Sequence, residues 1–414
     1  MLCRRSGSGI EETHLKVLAI HRFYWPDTPP YASMLRTIVR QWVDDGHDVD
    51  VLSSQPSYRA GVQSQKQPRK EVVDGANIAR LDLPSEAGKP LVRILNALHL
   101  GVVVFWQAVI RKRYEVIMVS TSPPVLAGWF VALAAKLSGA RFIYHCMDIH
   151  PEIGRISGEF RNPGVFSLLS RLDRWTCAQA RPVVVLSEDM ANTLAARIGG
   201  PAPDTLVINN FSLPTESSVP GELPFPWPDE PFVLLFAGNI GRFQGLDVLI
   251  DAMGRLSDRS DIRLVMMGEG MEKDRLSQKS EQIGAKVSFV GHHSVGVAKA
   301  AMVRASSGFV SLVPELYRYA YPSKTMTYLE QGCPVLVAVE PESCLARDIV
   351  GSAAGLAVPG GDEDRLAEAI SSLADDPDRV NSMRRNAQEF AARGFTPDVV
   401  LARWSSLLKE PSDV

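Results

Sequence analysis

The residues best suited to chemistry fall in four places. The first is Lys324, in the run YPSKTMTYLEQGCPVL from Tyr321 to Leu336. Pro322 and Ser323 have the character of a turn opening a helix, proline suiting the first turn and serine the cap. A helix start gathers unpaired N–H groups and partial positive charge, so an ammonium in that first turn adds to a seat for phosphate. The second place is a pair of glycine loops, GNIGRFQG from Gly238 to Gly245 and GEG from Gly268 to Gly270. Glycine lets backbone N–H groups come close to a ligand, and the first loop carries Arg242. The third is Asp148 with His150, in CMDIHPE. The fourth is Asp48-Val49-Asp50, a pattern that can hold a divalent metal between phosphates. Its aspartates alternate with valines at the start of a strand, away from any ligand edge, so no metal is expected there. Each signal is weak alone: a lysine after Pro-Ser also suits an ordinary surface helix, and an acid after a strand also suits a helix cap.

The elements that must position these residues strengthen the pattern. Apolar runs at 15–20, 49–52, 115–120, 141–146 and 182–186 read as strands buried on both faces, and amphipathic helices alternate with them. A second series starts at Phe232–Ala237 and continues at 263–267, 287–290, 308–313 and 335–339. This is the rhythm of two doubly wound parallel sheets, where ligands bind at the carboxyl ends of the strands. Asp148, both glycine loops, the GHHS turn with His292, and the start of the 324 helix all follow strands. So does the loop HRFYWPDTPPYAS, which carries Tyr31 and Ser33. With no G-x-G-x-x-G after the first strand, a dinucleotide is not expected.

The chain has 414 residues, 22% of them charged, and a net charge of −3. That length suggests two domains, and the charge gives no case for nucleic acid. Five cysteines without metal spacing suit a reducing compartment. Residues 1–14 read as a disordered leader, 15–213 and 232–392 as two Rossmann-like domains, and the proline-rich 214–231 as a linker. Residues 393–414 read as a C-terminal helix that can pack back on the first domain. The apolar stretch 91–113 reads either as a buried helix or as one whose face dips into a bilayer, with Arg111, Lys112 and Arg113 meeting anionic headgroups.

Several segments together resemble family 4 glycosyltransferases of the GT-B fold. They are Thr121-Ser122-Pro123-Pro124, Asp148-Ile149-His150-Pro151-Glu152, Leu186-Ser187-Glu188-Asp189-Met190, Val207-Ile208-Asn209-Asn210, Gly238-Asn239-Ile240-Gly241, Gly268-Glu269-Gly270 and Pro322-Ser323-Lys324. The resemblance is to the bacterial branch that assembles surface polysaccharide, including fucosamine transferases. It implies an α/β GT-B architecture of two Rossmann-like parallel-sheet domains facing across a cleft. The N-terminal domain would take the acceptor and the C-terminal domain a nucleotide-diphosphate sugar, in a retaining transfer that needs no metal and no cofactor beyond that co-substrate.

The resemblance also implies roles for particular residues. Asp148, Arg242 and Lys324 would be catalytic. Gly238, Asn239, Gln244, Gly268, Glu269, Gly270, His292, Ser323, Thr327 and Glu330 would bind the donor. Tyr31, Ser33 and His150 would line the acceptor side. The chain departs from the family in two respects. Asn239 and Gln244 replace the frequent arginine and lysine, and Tyr319 and Thr327 stand where the E-x7-E glutamates would be. The acceptor would be a glycan or a polyprenyl-diphosphate-linked sugar, with the protein cytoplasmic and peripheral on the inner face of the plasma membrane. A nucleotide-sugar epimerase or phosphorylase on the same fold, and a non-catalytic carbohydrate-binding relative, remain open.

Overall fold

The computed structural model describes residues 14–409 apart from 28, 57–65, 85–89, 112, 157, 159, 161, 198–199 and 213–220. Nearly all of the expected leader, much of the linker and Lys112 lie outside the described residues.

The N-terminal half runs β1 (Lys16–Ile20), α1 (Pro30–Asp44), β2 (Asp48–Ser54), β3 (Lys70–Val73), β4 (Ala76–Leu81) and α2 (Pro90–Phe105), which a π turn, Trp106–Ile110, prolongs. It continues through β5 (Val116–Ser120), α3 (Leu126–Ser138), β6 (Arg141–Cys146), α4 (Glu152–Ile156), α5 (Pro163–Gln179), β7 (Val183–Val185), α6 (Glu188–Ala195) and β8 (Thr205–Val207). The strands lie in the order β3-β4-β2-β1-β5-β6-β7-β8, parallel except for the β3–β4 hairpin.

The second half runs β9 (Phe232–Ala237), α7 (Asp247–Arg255), β10 (Ile262–Met267), α8 (Lys273–Gln282), β11 (Val287–Gly291), α9 (Val295–Arg304) and β12 (Ser307–Ser311). It ends with α10 (Lys324–Glu330), β13 (Val335–Ala338), α11 (Cys344–Gly351), β14 (Gly355–Val358), α12 (Glu363–Ala374), α13 (Pro377–Gly394) and α14 (Pro397–Lys409). Its order is β11-β10-β9-β12-β13-β14, parallel throughout.

The apolar periodicity sets the cores. α1 turns Leu35, Ile38 and Trp42 onto the first sheet, and α7 turns Leu249 and Met253 onto the second. α14 then returns to the N-terminal half. Trp404 packs edge-on to Trp42 with ring centroids 5.9 Å apart, and its carbonyl accepts the Trp42 indole N–H at 3.3 Å. Arg141 donates to the Leu407 carbonyl at 2.9 Å.

Two local details differ from the sequence reading. α1 opens at Pro30, inside the stretch read as a loop as far as Ser33, because proline suits a first helical turn. Ser323 precedes α10 in helical conformation and makes no side-chain cap bond. Asp48 and Asp50 are both committed to structural partners. Asp48 pairs with Lys16 at 2.6 Å, while Asp50 accepts from Tyr114 at 2.6 Å and from Asn77 at 2.9 Å.

Candidate active site

The carboxyl edges of the two sheets meet. Asp148, just past β6, forms an isolated antiparallel bridge with Ala320, which lies between β12 and α10. Ile149 N–H donates to the Tyr319 carbonyl at 2.8 Å. The end of β6 is thereby tied to the segment that leads into Lys324.

On the C-terminal side, three glycines make one surface. Gly238 has φ +144° and Gly268 φ +149°, a region that disfavours side chains. A Cβ on Gly268 would stand 1.8 Å from the Gly238 carbonyl oxygen, and one on Gly270 would stand 2.1 Å from that of Ile240. Gly238 N–H bonds to the Met267 carbonyl and Ile240 N–H to that of Glu269, each at 2.9 Å. The two glycine loops are thus stitched side by side and close-packed. Gln244 closes the first loop by accepting from Gly241 N–H at 3.2 Å, and Asn239 stays exposed over it. Gly291 brings the turn carrying exposed His292 against Glu269.

Lys324 lies against this surface: a Cβ on Gly238 would be 3.3 Å from its Nζ. The ammonium is sealed from solvent and has no hydrogen-bond partner among the described residues. It rests over the Phe236 ring, 3.8 Å from the centroid, a cation–π contact that only partly replaces water. Burial lowers its pKa to about 7. A cation held without an anion beside an exposed glycine turn is a ready partner for phosphate.

On the N-terminal side, burial pushes the Asp148 carboxyl up to about 6. At neutral pH it is mostly a carboxylate with a raised proton affinity, which suits a general base. His150 is held neutral, its pKa lowered to about 4 by burial and then by Arg93 and Arg197. Its Nδ1 is buried without a hydrogen-bond partner among the described residues.

Arg197, which the sequence reading missed, fixes this loop. It donates to the His150 carbonyl at 2.9 Å and to Glu152 at 2.7 Å, and it pairs with buried Asp173 at 2.5 Å. Nothing local in the sequence marks it, since its partners lie 24 to 47 residues away. Tyr328 is a second positioning residue of this edge. Its hydroxyl accepts from Ala237 N–H at 2.7 Å and donates to the Leu235 carbonyl at 3.0 Å, which locks α10 onto β9 just before the Gly238 turn.

Several expected roles need correction. Arg242 sits on the right loop, but its guanidinium is 69% exposed and paired with Glu272 at 3.3 Å, not joined to Lys324. Glu330 accepts from Lys299 at 2.9 Å, from Gln331 at 2.8 Å and from the Ser212 hydroxyl. It therefore links the end of the first half to the second and is not held out for a ribose. Thr327 is 2% exposed, on the inner side of α10. The Glu269 carboxylate pairs with Lys273 at 2.7 Å, and the residue contributes to the loop through its backbone. Tyr31 is a buried strut, its hydroxyl bonded to His145 Nδ1 at 2.7 Å and its ring edge-on to His21. Ser33 stays half-buried in the first turn of α1. Among the described residues, no group of three or more His, Cys, Asp or Glu is placed to hold a metal ion.

Comparison with known proteins agrees with this two-sheet architecture. Residues 31–210 match the family described as glycosyl transferase 4-like domain, and residues 224–390 match glycosyl transferases group 1. The sucrose-phosphate synthase of Thermosynechococcus elongatus superposes with a TM-score of 0.74 at 16% identity, covering 96% of this chain and 98% of that one. Anabaena HepE, solved with UDP-glucose, superposes with a TM-score of 0.65 at 18% identity, covering 96% of this chain and all of the other (100%). Fold and site thus define a two-domain GT-B protein. The chain belongs to the family 4 glycosyltransferases. WbjE of Pseudomonas aeruginosa, named as a probable glycosyltransferase, is 22% identical over 64% of this chain and 67% of its own length. WcaI of Escherichia coli K12, named for colanic acid biosynthesis, is 25% identical over 66% of this chain and 70% of its own.

Proposed function

We propose that this glycosyltransferase of polysaccharide biosynthesis is a retaining enzyme. It moves a sugar from a nucleotide diphosphate to a glycan or polyprenyl-diphosphate-linked acceptor. The observation that carries the reading is the sealed, unpartnered Lys324 ammonium beside the exposed Gly238 turn. HepE, bound to UDP-glucose in its own structure, supports a nucleotide sugar as the ligand of that edge.

In this reading, the diphosphate lies on the Gly238 and Gly268 backbone. The bond from the anomeric carbon to the diphosphate oxygen breaks, and its electron pair leaves on that oxygen. Lys324 stabilises the charge that develops there. The acceptor hydroxyl oxygen bonds to the anomeric carbon on the face the diphosphate leaves. Asp148 orients that hydroxyl and receives its proton. Arg197 keeps the Asp148–Glu152 loop in place without touching substrate. Metal independence is part of the proposal, because Lys324 and backbone N–H groups supply positive charge where a cation would otherwise be needed. Membership of the fucosamine-transferase-like branch is likewise part of the proposal, and the donor sugar and base are what the test below identifies.

The membrane reading rests on α2 and its π turn. Leu91 to Ile110 has the length and apolar character of a span, yet only 33% of it is buried. Its exposed side suits the surface of a bilayer that carries a lipid-linked acceptor, on the cytoplasmic face.

The test is a thermal-shift panel of UDP-, GDP- and dTDP-sugars on wild type and Lys324→Met. Stabilisation of wild type by one nucleotide class, lost in the variant, is expected. An equal shift in both proteins would overturn the Lys324 role. Flotation of wild type with liposomes at low salt tests the membrane reading, which an unbound protein would refute.

A further inference from the structure

We propose that a cavity at the far end of the α2 helix is a binding site for the phosphodiester headgroup of an anionic phospholipid. The inference rests on the bilayer reading above and adds a specific lipid contact to it.

One side of α2 packs on α3, where Gly101 lies under Phe130. The other side is bare: Leu91 is 74% exposed, Leu95 63%, Val102 68%, and Trp106 and Ile110 55% each. Among the exposed residues from 91 to 110, His99 alone is polar. Such a strip, roughly 30 Å long at the usual helical rise, fits the plane of an interface better than a protein core.

Immediately past Ile110 opens a cavity of about 480 Å³, between the helix end and strands β2, β3 and β4. Val51, Val72 and Ile78 are among its apolar lining, and Lys70, Arg111 and Arg113 are its cations. The two acids in the lining are already engaged. Asp50 pairs with Arg113 at 3.2 Å while accepting from Tyr114 and Asn77. Glu71 pairs with Arg80. The Lys70 ammonium and the Arg111 guanidinium have no ion-pair partner among the described residues. Two uncompensated cations thus stand at a half-apolar cavity in a chain whose net charge is −3.

Charge complementarity selects the occupant. A lipid whose acyl chains lie beside Trp106 and Ile110 puts its phosphate within the reach of Arg111 and Lys70, and its glycerol against the valines. The opposite end of the helix lies toward the β6 edge: after burial, the Arg93 charge is the next influence that lowers the pKa of His150. A lipid seated at Arg111 would therefore hold the helix flat, with its Arg93 end and the cleft at the membrane surface.

The experiment is flotation with vesicles of phosphatidylcholine alone and of phosphatidylcholine mixed with phosphatidylglycerol. Wild type and Lys70→Gln/Arg111→Gln are compared at low and high salt. Wild type is expected to bind both vesicles and to prefer the mixed ones, less so at high salt. The double variant should bind mixed vesicles roughly thirtyfold more weakly, at about 1 kcal/mol per basic residue, with neutral-vesicle binding and turnover on a soluble acceptor unchanged. An undiminished preference in the double variant overturns the headgroup site and leaves the bilayer reading standing. Wild type that binds neither vesicle overturns both. Saturable stabilisation of wild type, but not of the double variant, by inorganic phosphate without vesicles would reassign the cavity to a soluble anion. A stable dimer broken by Trp106→Glu would reassign the strip to a second copy.

Discussion

The backbone of Asp148 pairs with that of Ala320, and four residues beyond Ala320 stands Lys324. The end of β6 is thereby fixed against the segment that leads into α10, at the point where a base and a cation would have to cooperate. The raised pKa of Asp148 and the lowered pKa of Lys324 have the same cause: each charge is buried without an opposite charge to compensate it.

Lys324→Met is expected to stabilise the unliganded protein while abolishing donor binding. The folded pKa of about 7 lies below the ordinary 10.5, so folded protein binds fewer protons than unfolded protein between those values. Stability therefore rises with pH from about 7 to 10.5, and the full cost of the sealed ammonium is felt below 7. At about 1.4 kcal/mol per unit, that cost is on the order of 4–5 kcal/mol. Denaturant melts at pH 6.5 check the gain, and titration calorimetry checks the loss. A variant that melts earlier than wild type would contradict the burial account.

Donor affinity should weaken as pH rises above about 7, by up to roughly tenfold per unit, because the free enzyme must then take up a proton to present its cation. The donor KM measured across pH 6.5 to 9 tests this. A flat profile in wild type would mean that Lys324 is already charged without ligand.

Asp148→Asn should lower turnover at saturating donor by roughly a hundredfold or more, the usual reach of general-base loss. In wild type, turnover should rise through pH of about 6 as the carboxylate forms. That limb should vanish in the variant. Unchanged turnover would remove Asp148 from the reaction.

Gly268→Ala should cost about 2 kcal/mol or more in stability and weaken the donor, because its methyl group would meet the Gly238 carbonyl at a positive φ. Gly284→Ala is the control. It also has a positive φ, +67°, but nothing lies within 4 Å, so it should melt earlier while leaving the donor KM alone.

Trp404→Ala should destabilise the N-terminal half by about 3–5 kcal/mol, the usual loss for a buried aromatic, although Trp404 belongs to the last helix. Hydrogen exchange should show the loss first in α1, through Trp42. Exchange that accelerates only in the second half would rule out this crossing contact as a support of the first.

The sequence by itself determined the parts that depend on near neighbours. Buried strands such as Phe232–Ala237 are apolar along their whole length, and period and turn residues place the helices between them. The glycines at 238, 268 and 270 announced a close backbone approach. Asp148 and Lys324 were legible because strand ends in such sheets point at ligands. Tertiary structure alone decided which charges are spent and which are left over. Arg242 and Glu330 looked available until Glu272, and Lys299 with Ser212, claimed them. Tyr31 looked like a cleft residue until His145 claimed its hydroxyl. Arg197 gave no local sign of its task. A side chain's type is written in the chain, but its charge balance is set by partners tens of residues away, and only folding brings those within hydrogen-bond reach.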